Sequence, residues 1–138
     1  MAEQRWACDT SVAIAALDPN HEGHPFSRAR VLQTRPALAG HAVFETYAVL
    51  TRMPPPLRLT GPQAAEVISR AFPDPCWLNP SALDGLLGKM AELSIVGGAV
   101  YDGLVGQAAL NSGRTLLTRD RRAERTYSSL GVDYEFIG

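Results

Sequence analysis

Four carboxylates in this sequence stand where an acid is hard to explain as surface. Asp9 separates the apolar stretch "RWAC" from "TSVAIAAL", and Asp120 lies two residues beyond "TLLT". Glu45 in "GHAVFETYAVLTR" and Asp102 in "GGAVYDGLVGQAAL" fall in stretches that read as apolar helices. Helical neighbours lie three and four residues away. For Glu45 these are His41, Ala42, Ala48 and Val49, and for Asp102 they are Gly98, Ala99, Val105 and Gly106, so neither acid meets a Lys or Arg on its own helix. A buried, unpaired carboxylate costs several kcal/mol or gives up its charge through a raised pKa. Two arrangements answer that cost. Arginines from elsewhere in the chain pair with the acids, or the acids converge on a divalent cation such as Mg²⁺ or Mn²⁺, hard ions that take oxygen ligands and keep several waters. Asp9 and Asp120 each also suit an ordinary helix N-cap. Glu45 and Asp102 do so less readily.

The elements that must position these acids follow from apolar periodicity and from breakers. Residues 4–9 read as a strand, 10–17 as a short helix, 22–34 as a helix and 36–40 as a brief strand. The helix over 41–52 is apolar nearly all round and is expected to be buried. "MPPPLRLTGP" is a loop, because consecutive prolines remove donors and fix φ, and a helix resumes near Gln63–Phe72. "PCWLN" at 75–79 reads as a strand, and Leu83, Leu86, Leu87, Met90 and Leu93 recur at helical spacing as expected core. A helix over 99–112, a strand over 114–118, a helix over 121–130 and the strand "DYEFI" complete the chain. Strands separated by helices imply parallel pairing in an α/β fold with helices on both faces, whose ligands gather at the carboxyl ends of the strands. Asp9 and Asp120 fall at that edge.

Composition narrows the function classes. The 138 residues suit one core, a single domain over 1–138, and 46% hydrophobic with 20% charged residues is an ordinary globular balance. No apolar run approaches the roughly 20 residues that span a bilayer, and the first residues lack a secretory pattern, which points to the cytoplasm and to no membrane partner. A net charge of −1 gives no global attraction to nucleic acid, although Arg114, Arg119, Arg121, Arg122 and Arg125 crowd one short stretch. Such a run is a solvated helix face or a grip for phosphates. Cys8 and Cys76 read as small buried hydrophobes, and His21 and His24, near Asp18 and Glu22, as a solvated loop rather than a zinc site.

The segments "CDTSV" (8–12), "FETYAVLTR" (44–52), "GGAVYDGLVGQAAL" (97–110) and "LLTRDRR" (116–122) resemble, in order, the acidic motifs of PIN-domain nucleases, and specifically of VapC-type toxins from bacterial toxin–antitoxin pairs. The resemblance spans nearly the whole chain. It implies a three-layer α/β/α PIN-like domain with a central, mostly parallel sheet of four or five strands. It also implies that Asp9, Glu45, Asp102 and Asp120 are the catalytic acids and hold Mg²⁺ or Mn²⁺. Thr10 or Ser11, after the first acid, and Thr118, at the start of the last motif, are the hydroxyls that would support a carboxylate or a bound water. Arg119, Arg121 and Arg122 would meet RNA at the rim. The resemblance further implies endoribonuclease activity on structured RNA, a cognate VapB-type antitoxin, a homodimer, and contact with operator DNA only through the antitoxin. Other classes leave different marks. A PIN-like module that only binds RNA or protein need not keep four acids. A haloacid-dehalogenase-type phosphotransferase would show D-x-D where this chain has Ser11 two residues after Asp9, and a receiver domain would need a lysine near its end, whereas the only lysine is Lys89.

Overall fold

The computed structural model describes residues 3–138. Strand β1 (Trp6–Cys8) runs into α1 (Thr10–Leu17), and after α2 (His24–Thr34) the chain returns as β2 (Ala37–Leu38). Helices α3 (Ala42–Arg52), α4 (Gly61–Ala71), α5 (Pro80–Leu83), α6 (Leu86–Glu92) and α7 (Ala99–Asn111) precede β3 (Thr115–Thr118), α8 (Glu124–Leu130) and β4 (Tyr134–Phe136). The four strands pair in parallel in the order β2-β1-β3-β4. The chain moves from β1 to β2 in one direction and from β3 to β4 in the other. Right-handed crossovers therefore set α1 and α2 on one face and α7 and α8 on the opposite one. The reversal falls between β1 and β3, where an open parallel sheet forms a crevice at its carboxyl edge.

Local chemistry explains where the elements start. The Asp9 carboxylate accepts from the Val12 amide and caps α1, as Asp does at helix N-termini. Thr60 and Gln63 close a capping box on α4, so Gly61 and Pro62 form its first turn and the helix begins two residues earlier than the apolar pattern indicates. The sheet interior is Ala7, Cys8, Leu38, Leu116 and Leu117, all fully buried. Each leucine removed from water contributes roughly 1.5–3 kcal/mol.

Three expectations are corrected. The stretch 75–79 is not a strand but a single parallel bridge between Ala39 and Cys76, made by the Cys76 amide to the Leu38 carbonyl (3.0 Å) and the Gly40 amide to the Cys76 carbonyl (2.7 Å). Prolines at 73, 75 and 80 withhold the donors that a longer ladder needs. Helix α3 is not buried all round: Ala42, Thr46 and Leu50 form its one buried face at four-residue spacing, while Phe44 is 61% exposed and Tyr47 also faces outward. Of the leucines expected in the core after residue 80, Leu86 is buried with Met90, whereas Leu83, Leu87 and Leu93 are exposed. The left-handed turn at Gly85 (φ 77°) breaks that stretch into two helices and ends its common face. Cys8 and Cys76 are buried free thiols.

Candidate active site

Three helix N-termini and one strand end deliver the acids to the carboxyl edge of the sheet. Asp9 is the N-cap of α1, Glu45 lies in the first turn of α3 and Asp102 in the first turn of α7. Unsatisfied amides at such ends favour negative charge. Asp120 follows β3 but does not cap α8, whose N-cap position is Ala123. Its Oδ1 accepts from the Arg122 amide (2.9 Å) in a turn just before that helix.

Asp9 is the most constrained of the four, only 4% exposed. Its Oδ1 accepts from the Ser11 hydroxyl (2.5 Å) and the Val12 amide (3.3 Å), and its Oδ2 from the Thr118 hydroxyl (2.5 Å) and the Tyr127 phenol (2.8 Å). The supporting groups are themselves held: the Arg119 amide donates to Ser11 Oγ (2.8 Å), and the Asp120 amide to Thr118 Oγ1 (3.1 Å). Burial pushes the Asp9 pKa up, and the four hydrogen bonds oppose it. Ser11 therefore reaches the carboxylate, while the Thr10 hydroxyl is buried without a hydrogen-bond partner.

The other acids feel each other. Asp102 is pushed up to about 6, first by burial and then by the negative charges of Asp120, Asp9 and Glu45. Burial also raises Glu45, with the His41 imidazole opposing and Asp9 adding to the rise. His41 Nε2 stands 4.0 Å from Glu45 Oε1. The His41 ring stacks on Tyr101 at 5.0 Å and ties the start of α3 to the start of α7. Among the described residues no arginine or lysine pairs with any of the four acids. Nor do three of their carboxylates, or any imidazole or thiol with them, close into a ready-made cage. A loose ring of hard oxygen donors suits Mg²⁺ or Mn²⁺, which bind through one or two carboxylates and retain water, better than a metal needing a full protein cage. The donor set fits such an ion.

Sequence reasoning missed Tyr127. It lies on α8 in step with the apolar Ala123 and Leu130 and reads as core, yet a buried tyrosine nearly always finds a partner for its hydroxyl, and here the partner is Asp9. Gly106 on α7 admits its ring, since a Cβ there would stand 2.9 Å from Tyr127 Cδ1. The arginines of the predicted rim divide. The Arg121 guanidinium lies 3.6 Å over the Phe136 ring and pairs with Glu124, Arg122 is exposed, and the Arg119 guanidinium packs against Gly23. In the histidine loop the ring of His21 accepts from the Gly23 amide and that of His24 meets the Ala15 carbonyl, so both half-buried rings hold the turn into α2 rather than extend into solvent.

The chain is 44% identical over 126 residues to the ribonuclease VapC27 of Mycobacterium tuberculosis, which covers 91% of this chain and 92% of that one. It is 43% identical over 136 residues to ribonuclease VapC40 of the same species, covering 95% and 98% respectively. This chain belongs to the VapC ribonuclease family. No family model matches it. The parallel α/β sheet and the acids at its carboxyl edge are the frame of this VapC chain. Among its described residues no helix is long and apolar enough to cross a membrane.

Proposed function

We propose that this VapC ribonuclease, the toxin of a type II toxin–antitoxin pair, is an endoribonuclease that cuts structured RNA, a tRNA or an rRNA loop, in a Mg²⁺- or Mn²⁺-dependent reaction. The observation that carries the reading is Asp102, raised to about 6 by burial and by three other acids. A fold keeps such repulsion where a bound cation relieves it. Asp9, Glu45, Asp102 and Asp120 would hold the ion, directly or through water. When bound, the ion supplies an activated water and offsets charge that develops on the phosphate.

The chain's own groups do the positioning. Ser11, Thr118 and Tyr127 fix the Asp9 carboxylate in one orientation, and the Thr118 hydroxyl also takes the Asp120 amide, so a shift in either acid is felt by the other. Glu45 and Asp102, each about half-buried, face the opening from their helix ends. The acidic pocket repels RNA, and arginines at the rim, Arg119 foremost, offset that repulsion. The products are a 5′-phosphate and a 3′-hydroxyl. Exposed Phe44, Tyr47 and Trp77 offer apolar surface for a VapB-type antitoxin or a second copy of the chain, Phe44 and Trp77 in contact at 5.7 Å. In this reading the protein works in the cytoplasm, and the antitoxin reads operator DNA.

The test is incubation of the purified chain with tRNA and ribosomal RNA in Mn²⁺, in EDTA, and as the Asp102→Asn variant. Discrete cuts are expected in Mn²⁺ alone, and none in EDTA or with the variant. Equal cleavage in EDTA removes the metal-dependent mechanism. RNA left intact under every condition favours a silent binding module.

A further inference from the structure

A second hollow lies beside the acids. Its volume is about 740 Å³, and Gly23, Phe26, Arg119 and Phe136 are among the residues that line it. Arg119 links it to the acidic pocket, since it stands between Thr118, whose hydroxyl holds Asp9, and Asp120, and its amide is fixed on Ser11 Oγ. We infer that this hollow is a nucleobase subsite, in which one unpaired base of the RNA stacks on Phe26 while the adjoining phosphate meets the Arg119 guanidinium. The inference rests on the ribonuclease reading above.

The cations around the hollow are not equivalent. Arg30 is taken by Glu135 and lies over the Trp6 ring, and Arg121 is taken by Phe136 and Glu124. Arg119 forms no ion pair among the described residues. Its guanidinium fills the space that a side chain at position 23 would occupy, a Cβ there falling 2.4 Å from Cζ and from Nη1. Gly23 has φ −89°, which any residue adopts, so its lack of a side chain makes room for the guanidinium rather than easing a turn. The chain thus holds a guanidinium without an ion-pair partner among the described residues, seated against Gly23 in the lining of the hollow.

Phe26, in the first turn of α2, is 55% exposed in the same lining. An exposed phenyl ring next to such a guanidinium is the pair of features by which proteins hold single-stranded nucleic acid: a π-face accepts any base, and the cation follows the backbone. Arginine also matches phosphate through its planar fork of donors. Because stacking needs an unstacked base, the subsite selects loops over duplex, and the exposed Glu22 carboxylate on the same wall would favour bases that present amino or imino N–H groups.

The experiment measures kcat and KM on one cleaved RNA for wild type, Phe26→Ala, Phe26→Tyr and Gly23→Ala, with Tm for each. Phe26→Ala is expected to raise KM about tenfold, the effect of losing one stacked base, with kcat within threefold and Tm unchanged. Phe26→Tyr keeps the ring and restores KM. Gly23→Ala leaves the backbone unstrained, displaces the guanidinium and is also expected to raise KM. A wild-type KM in both Phe26→Ala and Gly23→Ala, while the wild type still cuts, overturns the subsite and leaves the ribonuclease reading standing. If the wild type cuts no RNA, an NMR titration with a single-stranded oligonucleotide decides the matter: shifted amides at Gly23, Phe26 and Arg119 support the subsite, and unshifted ones overturn it.

Discussion

The two ends of this one parallel sheet carry opposite charge and treat it differently. At the amino edge Arg5 donates to the Ser112 carbonyl (3.3 Å) and Arg114 to the Trp6 carbonyl (2.9 Å), so each guanidinium meets an oxygen of the backbone it braces. At the carboxyl edge Glu45 and Asp102 face other carboxylates, and both are pushed up in pKa, first by burial and then by that neighbouring negative charge. Charge answered by backbone oxygen belongs to the scaffold. Charge held against like charge is maintained at a cost in stability, and selection keeps it for what it binds.

The strongest way to break this comparison is to neutralise one acid. Asp102→Asn removes the repulsion without changing size, and a loss of RNA cleavage of about 100-fold or more is expected, measured as single-turnover rate in Mn²⁺. An unchanged rate would place Asp102 with the scaffold.

Asp9 sharpens the contrast because it belongs to both classes. Asp9→Asn turns one of the two acceptor oxygens into an NH2 donor and strands either the Ser11 and Val12 donors or the Thr118 and Tyr127 donors, and a cost of about 1–3 kcal/mol is expected in urea unfolding. Tyr127→Phe removes one donor from the same carboxylate, and about 1 kcal/mol is expected. Stability equal to wild type in both variants would mean that these bonds are not formed in solution.

The pH dependence of stability is smaller and its sign is diagnostic. Asp102 titrates at about 6 in the folded chain against 3.8 ordinarily. Between those values the folded state holds a proton that the unfolded state has released, so acidification from pH 7 towards pH 4 stabilises the fold through this group. Because about half of the carboxyl remains in water, the gain is about 1 kcal/mol rather than the full shift. In metal-free buffer the Tm of wild type should exceed that of Asp102→Asn by more, or trail it by less, at pH 5 than at pH 7. A difference independent of pH removes the shifted carboxyl from the account. Smallest of all, Arg114→Met at the amino edge forfeits one bond to a backbone carbonyl, lowering stability by about 1 kcal/mol and leaving the cleavage rate as it was.

Much of this architecture is legible in the sequence, for identifiable reasons. Helix α1 occupies the residues expected of it because Asp9 caps it and an unbroken apolar run follows. Where reading fails, the pattern records which residues are apolar but not which way they face. Phe44 and Tyr47 stand two positions and one position off the buried Ala42–Thr46–Leu50 stripe, and counting alone does not show it. The four acids are legible because they lack partners in their own elements; the mutual repulsion that sets Asp102 apart depends on three residues 18 to 93 positions away, which only the fold brings near. Tyr127 is hidden for the opposite reason, since its ring satisfies the apolar pattern and only its hydroxyl joins the site.

The central claim, that a divalent cation draws these acids together, is tested most directly by titrating Mn²⁺ into wild type and Asp102→Asn and following Tm. The Tm of wild type should rise steadily with Mn²⁺ through mass action on the folded state. Asp102→Asn, no less stable at the outset at pH 7, should rise much less. Equal rises in the two proteins, or none in either, would contradict it.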